Sequence, residues 1–197
     1  MTTSLPLFPL NTILFPHARL PLRIFESRYI DMVRECMRND TGFGVVWRMD
    51  IAPGQPSGHA RVGTEAVITD FSTLEDGLLG IECRGRRRFI VRGSRARHDG
   101  LIIGDLDWIE DKPAGAVQPQ HATLQTLMRE ILNQPELVSL DHVDPDNDVS
   151  LGFGLASILP IDPARAQNLL ELDGADQRLD ALLGIVESLS RESEPSR

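Results

Sequence analysis

Leu5-Pro-Leu-Phe-Pro-Leu-Asn-Thr-Ile-Leu-Phe-Pro-His-Ala-Arg-Leu-Pro-Leu-Arg-Ile24 is a series of short apolar runs, each punctuated by proline. Proline removes a ladder donor and breaks helices, so this stretch predicts edge strands and turns. The pattern changes at Glu26. Ile30, Val33 and Met37 repeat at helical spacing as far as Arg38, and Asn39-Asp40-Thr41-Gly42 supplies a stop. Residues 43–49 read as a buried strand, and residues 52–60, with two prolines and two glycines, as a loop.

Further strands follow. Residues 62–71 carry Val62, Ala66, Val67 and Ile68, and Asp76-Gly77 signals a hairpin into residues 78–83. Residues 86–92 form a separate, basic strand around Phe89, Ile90 and Val91, and residues 101–109 another. Beyond residue 118 the period becomes helical. Leu124, Leu127, Met128, Ile131 and Leu132 share one face of a helix over 121–134. Residues 150–159 predict a helix that Gly152 and Gly154 weaken. Asp162-Pro163 reads as an N-cap with proline at the first helical position, opening a helix that ends at Gly174. Leu179, Leu182, Leu183, Val186 and Leu189 mark a last helix over 176–190, and residues 191–197 a polar tail.

The charge distribution suggests a boundary. Residues 1–112 hold 15 basic and 15 acidic side chains, whereas residues 113–197 hold 5 and 14, so the net charge of −9 lies in the second part. Lys112-Pro-Ala-Gly-Ala-Val-Gln-Pro119 has linker composition, which puts the division at residues 1–118 and 119–197. Composition also excludes several chemistries. Lys112 is the single lysine and no glycine run precedes it, so a P-loop and its ATP hydrolysis are excluded. No G-x-S-x-G nucleophile turn occurs. Cys36 and Cys83 are too few for a disulfide scaffold or a four-thiolate zinc site and fit free thiols in a reducing cytosol. His17, His59, His98, His121 and His142 lack metal-ligand spacing. Asp141, Asp144, Asp146 and Asp148 imitate a calcium loop, but Val149 and Leu155 stand where glycine and glutamate are required, so a solvated acidic loop is the expectation. No metal and no cofactor is expected. No apolar run is long enough to span a membrane, no secretory signal opens the chain, and a cytoplasmic location follows.

Several motifs together carry a resemblance. Leu5-Pro-Leu-Phe-Pro-Leu10, Phe15-Pro16, Leu20-Pro-Leu-Arg-Ile-Phe-Glu26 and Arg28-Tyr29 resemble the opening of the N-terminal domain of the Lon protease family. Phe43-Gly-Val-Val46, Val62-Gly-Thr64, Gly85 with Arg88-Phe89, Leu159-Pro160, Leu169-Leu170-Glu171 and Arg178-Leu179 resemble its later segments in order. One departure stands out: Leu151-Gly-Phe-Gly154 lies where the family often has tryptophan. The resemblance implies an α+β fold, an N-terminal PUA-like β-barrel with one inserted helix, followed by a C-terminal helical bundle; the apolar stripe from Leu124 to Leu132 needs a covering surface, so the acidic helical part is expected to pack on the barrel. The resemblance also implies a free-standing relative of the substrate-recognition part, without ATPase or peptidase. Its motif residues are structural by this reading, with Glu26 and Arg28 as an ion pair or a cap.

Two sets of candidate site residues follow. Trp47, Met49 and Ile51 precede the Pro/Gly loop and suit adaptable apolar binding of an unfolded chain. Arg84, Arg86, Arg87, Arg88, Arg92, Arg95 and Arg97 fall within fourteen residues without an acid, a pattern that suits phosphate. Strand alternation would put Arg86 and Arg88 on the face opposite Arg87. The expected function is a non-enzymatic module, with no catalytic residue, that binds unfolded polypeptide segments or a partner protein through apolar contact and backbone pairing at an exposed barrel edge. Nucleic acid is not the expected partner. The alternative is an RNA-binding PUA-like protein using the arginine cluster, and a third, weaker reading is an enzyme with a cleft between barrel and bundle.

Overall fold

The proline-rich opening forms β1 (Thr3–Leu10) and β2 (Arg19–Ile24). The computed structural model describes residues 3–49, 58–134 and 143–193. β2 is an edge strand, as its proline predicts, but β1 is internal: it pairs in parallel with β3 (Phe43–Arg48) and antiparallel with β6 (Ile102–Trp108). The registers explain why two prolines are tolerated there. β6 covers Thr3 to Leu7 and β3 covers Leu7 to Leu10, so the two partners overlap only at Leu7. Pro6 and Pro9 each lie where the strand has one neighbour, so each half of β1 is locally an edge.

α1 (Ser27–Asn39) follows, buries Tyr29, Met32, Val33 and Cys36, and ends at Asp40 in the left-handed region (φ 52°), a conformation that Asp accepts more readily than most residues. Glu26 makes no side-chain cap; it forms an ion pair with Arg28 at 2.6 Å. β4 (His59–Thr73) turns at Gly77 (φ 80°) into β5 (Leu79–Ala96). β5 is one strand of 18 residues where two were expected. Gly85, between the two expected strands, admits the Phe15 carbonyl, since a Cβ there would lie 2.2 Å from that oxygen. Its amide donates to the Ala18 carbonyl and its own carbonyl accepts from His17 N–H.

The sheet order is β2-β5-β4-β3-β1-β6, and β5 pairs with β6 as well, so the pairings from β5 through β4, β3, β1 and β6 return to β5. Two apolar clusters result. Phe8, Ile24, Phe43 and Ile81 pack with Tyr29 and Met32 of α1. Leu5, Leu7, Val46, Phe89, Val91 and Leu106 form the other cluster. Gly44 and Gly63 make room for the Phe89 ring, which a Cβ on either would approach to 2.7 Å.

The chain divides into two compact units, Met1–Glu110 and Asp111–Arg197. The linker-like residues 115–117 are tied into the second unit: Gly115 N–H donates to Asp148, Val117 N–H to the Asp146 carbonyl, and Ala116 bridges to Asn147. This unit contains α2 (Ala122–Leu132), α3 (Asp148–Ile158), α4 (Pro163–Glu171) and α5 (Ala175–Ser193). Asn147 caps α3 by accepting from Ser150 N–H, and Asp162 caps α4 by accepting from Arg165 N–H. Gly152 and Gly154 cost α3 intrinsic stability but let its neighbours close in. A Cβ on Gly152 would meet the Arg178 chain at 3.2 Å, and one on Gly154 would meet Val143 at 2.8 Å. The chain is thus mixed α+β, with a six-stranded sheet and five α-helices among the described residues.

Candidate functional site

β4 outruns its neighbour. β3 pairs with it from His59 only as far as Ala66, while β5 accompanies it to Thr73. Residues 67–73 are therefore covered on one side only by a strand among the described residues. The backbone also shifts register between Ile68 and Asp70, with Thr69 Oγ1 donating to the Glu82 carbonyl. Beside this edge lies a cavity of about 580 Å³, within the range that ligand pockets occupy. Five consecutive β4 residues, Val67 to Phe71, line it, with Cys36, Met37 and Asp40 from the end of α1.

The chemistry of this groove is mixed. Met37 and Phe71 are 44% and 56% exposed, a large apolar outlay for surface positions. Asp40 and Asp70 also line it and form no ion pair among the described residues. Glu65 is buried and held by Arg87 at 3.3 Å, and the Arg87 guanidinium stacks 3.8 Å over the Trp108 ring. Arg86 lines the same end. Burial raises the Cys36 thiol pKa above its ordinary value, and its Sγ donates to the Gly42 carbonyl at 3.5 Å, so it is a packed thiol and not a poised nucleophile.

The apolar candidates do not line this groove. Trp47 is half-buried opposite Leu10, Met49 is 37% exposed with its N–H on the Gly58 carbonyl, and Ile51 lies outside the described residues. Sequence reading missed Met37, which belongs to a helical apolar repeat, and Phe71, which sits in a polar run. The unexplained Phe in Asp70-Phe71-Ser72 was the available signal.

The arginine cluster is largely spent on internal pairs. Arg92 meets Asp107 at 2.7 Å, Arg95 meets Asp105 at 3.1 Å, and Arg97 meets Asp99 at 2.7 Å and Glu35 at 2.9 Å. The side-chain bonds from Arg97 hold Asp99 well below the usual carboxylate range, and those from Ser4 and Arg95 lower Asp105. Arg88 is fully buried and Arg87 exposed. Alternation placed Arg86 with Arg88, but Arg86 is exposed beside Arg87 because β5 carries an extra residue where Thr64 faces Arg88 and Ala66 faces Gly85. Arg84 and Arg86 remain without an ion pair among the described residues.

Asp146, Asp148 and His121 are held in internal bonds. Asp146 accepts from Gln125 and Arg129, and Asp148 from Gly115 N–H. Asp141 and His142 lie outside the described residues. His121 is fully buried, with Nε2 2.7 Å from Asp180. Among the described residues no group of three or more His, Cys, Asp or Glu could hold a metal, and no helix is long and apolar enough to cross a membrane.

The family described as the ATP-dependent protease La (LON) substrate-binding domain matches residues 4–188. The Lon protease of Cytophaga hutchinsonii is 26% identical over 196 residues, covering 93% of this chain and 24% of that protein. The Lon protease of Escherichia coli is 24% identical over 197 residues, covering 94% and 25%. The chain thus spans about a quarter of the length of these curated relatives. Among solved structures, a Lon N-terminal domain protein from Xanthomonas campestris is 38% identical with a TM-score of 0.78, over 92% of this chain and 98% of that one. The N-terminal domain of a Mycobacterium avium complex Lon protease shares the fold, with a TM-score of 0.68 at 16% identity.

Proposed function

We infer the function from one premise: this chain belongs to the family of the ATP-dependent protease La (LON) substrate-binding domain. These 197 residues form a polypeptide-binding module that performs no chemistry of its own. The family match over residues 4–188 carries the reading. The relatives matched over this segment are Lon proteases, and the segment corresponds to about a quarter of each. The single lysine, in Glu110-Asp111-Lys112-Pro113, has no glycine run before it to make a phosphate loop, and a Ser–Lys dyad would have to use that same residue just ahead of a proline. The returning strand pairings support a PUA-like barrel for the first unit, and the α3 contacts with α2, α4 and α5 support a helical bundle for the second.

The groove at the β4 edge is the surface best suited to the task, because it combines exposed Met37 and Phe71 with a strand edge that has no partner strand among the described residues. Trp47 and Met49 add a second apolar surface to the proposal. The test is fluorescence anisotropy with a carboxymethylated, permanently unfolded protein at 50 and 200 mM salt. Saturable binding that changes less than about threefold between the two supports capture by apolar contact. Absence of binding at both salts, with the chain shown to be folded, overturns the reading.

A further inference from the structure

We propose that the edge of β4 over residues 67–73 accepts an extended polypeptide segment of alternating apolar and basic residues as an added strand, with one apolar side chain seated between Met37 and Phe71. This rests on the polypeptide-binding reading above and adds the mode and the sequence preference. A strand flank without a neighbour presents backbone donors and acceptors ready to pair with another chain. Here that flank opens onto the groove of about 580 Å³, with Val67 to Phe71 along one wall. Five residues of strand run about 17 Å, enough for a short ladder. The end of α1 adds Met37 and Asp40 to the lining. A thioether and an aromatic ring facing one groove give an adaptable apolar seat.

Charge decides which segment fits. Glu65 and Arg87 satisfy each other, which leaves Asp40 and Asp70 against Arg86 as the lining charges without an ion pair among the described residues. The balance is acidic. Asp70 also holds the edge: its Oδ1 accepts from Phe71 N–H at 2.8 Å, taking a donor that a ladder could use. A lysine or arginine on the incoming segment competes for the Asp70 carboxylate and releases that N–H for the segment's carbonyl. An acidic segment offers no such exchange. The register shift at Ile68–Asp70 keeps the ladder short, which suits a contact that must also let go.

The experiment uses the full chain and four fluorescein-labelled decapeptides: one alternating valine and leucine with lysine, one with glutamate in place of lysine, and two lysine peptides N-methylated at alternate backbone amides, one in each register. The lysine peptide should bind at least tenfold more tightly than the glutamate peptide. N-methylation in one register should cost tenfold or more and in the other little, a signature that apolar adhesion does not produce. Met37→Ala with Phe71→Ala should weaken the lysine peptide about tenfold, and Asp40→Asn with Asp70→Asn should erase the charge preference. All four positions are exposed, and the N-methyl comparison on the unaltered chain stands even where a variant folds poorly. Equal binding of all peptides, or wild-type binding by the Met37/Phe71 variant, overturns the proposal while capture of the carboxymethylated protein leaves the broader reading intact. Failure of that unfolded protein to bind overturns both.

Discussion

Arg178 is buried to 1% exposure, yet its guanidinium is well served. Nε donates to the Leu169 carbonyl at 3.1 Å, an Nη donates to the Leu172 carbonyl at 2.6 Å, and the plane stacks 3.8 Å over Phe153. It closes the C-terminal end of α4, whose last carbonyls have no intrahelical donor. Arg178→Met should leave buried carbonyls unpaired and cost about 3 kcal/mol in urea denaturation. Arg191→Met, which removes an exposed pair with Glu187 at 3.7 Å, should cost less than about 0.5 kcal/mol. Cys83 offers a second check at this scale. Its thiol is fully buried and desolvation pushes its pKa from 9.0 up to about 12. The unfolded chain therefore releases this proton first as the medium turns alkaline. The stability due to the neutral thiol is complete below pH 9 and is lost progressively between pH 9 and about 12. Cys83→Ala should flatten the fall in urea midpoint over that window, even though its own lost packing lowers stability at neutral pH.

β5 shows what an element can hide from its sequence. Residues 78–83 and 86–92 read as two strands, whereas the structure runs one strand through both. The reasons are tertiary: the Phe15 carbonyl needs the space at Gly85, and an extra residue at Arg86–Arg87 turns Arg88 inward. Gly85→Ala should thus destabilise by about 1–3 kcal/mol through the clash with backbone, read as a lower urea midpoint, whereas Gly93→Ala, where a Cβ meets nothing within 4 Å, should cost well under that. Elements governed by local periodicity were legible. α1, the Gly77 turn and the Asp162 cap follow from apolar spacing and side-chain chemistry that a short window contains. β1's internal position was not, because its prolines argue for an edge and only the staggered partners reveal two half-edges. The candidate groove was illegible for a related reason. Met37 and Phe71 line one groove because β3 stops at the level of Ala66 while β4 continues, and a stopping point of one strand relative to another leaves no mark in either sequence.

Over the whole molecule, charge is organised by pairing more than by clustering. Seven arginines in fourteen residues look like a nucleic-acid stripe, but Asp99, Asp105, Asp107, Glu35 and Glu65 lie on neighbouring elements and neutralise four of them. With Arg88 buried, Arg84 and Arg86 are the cluster members without an ion pair among the described residues. Any affinity for a structured RNA should therefore follow salt with a log–log slope no steeper than roughly −2, the value for two released counterions. A titration series from 50 to 200 mM salt measures it. A slope of −5 or steeper would mean that the ion pairs open to phosphate, and would restore the RNA reading.

The pairing of β1 with β6 has a consequence in time. Thr3 to Leu7 lie against Ile102 to Leu106, so β1, once made, meets one of its two partners only after about a hundred further residues. At roughly 5–20 residues per second, the nascent chain waits on the order of ten seconds between the two. Throughout that wait Leu5 and Leu7, both buried in the finished fold, have no finished core to enter. A bare apolar strand of this kind is an invitation to aggregate, and Pro6 and Pro9, each denying a backbone donor to any stray partner, guard it on the ribosome until its own partner arrives.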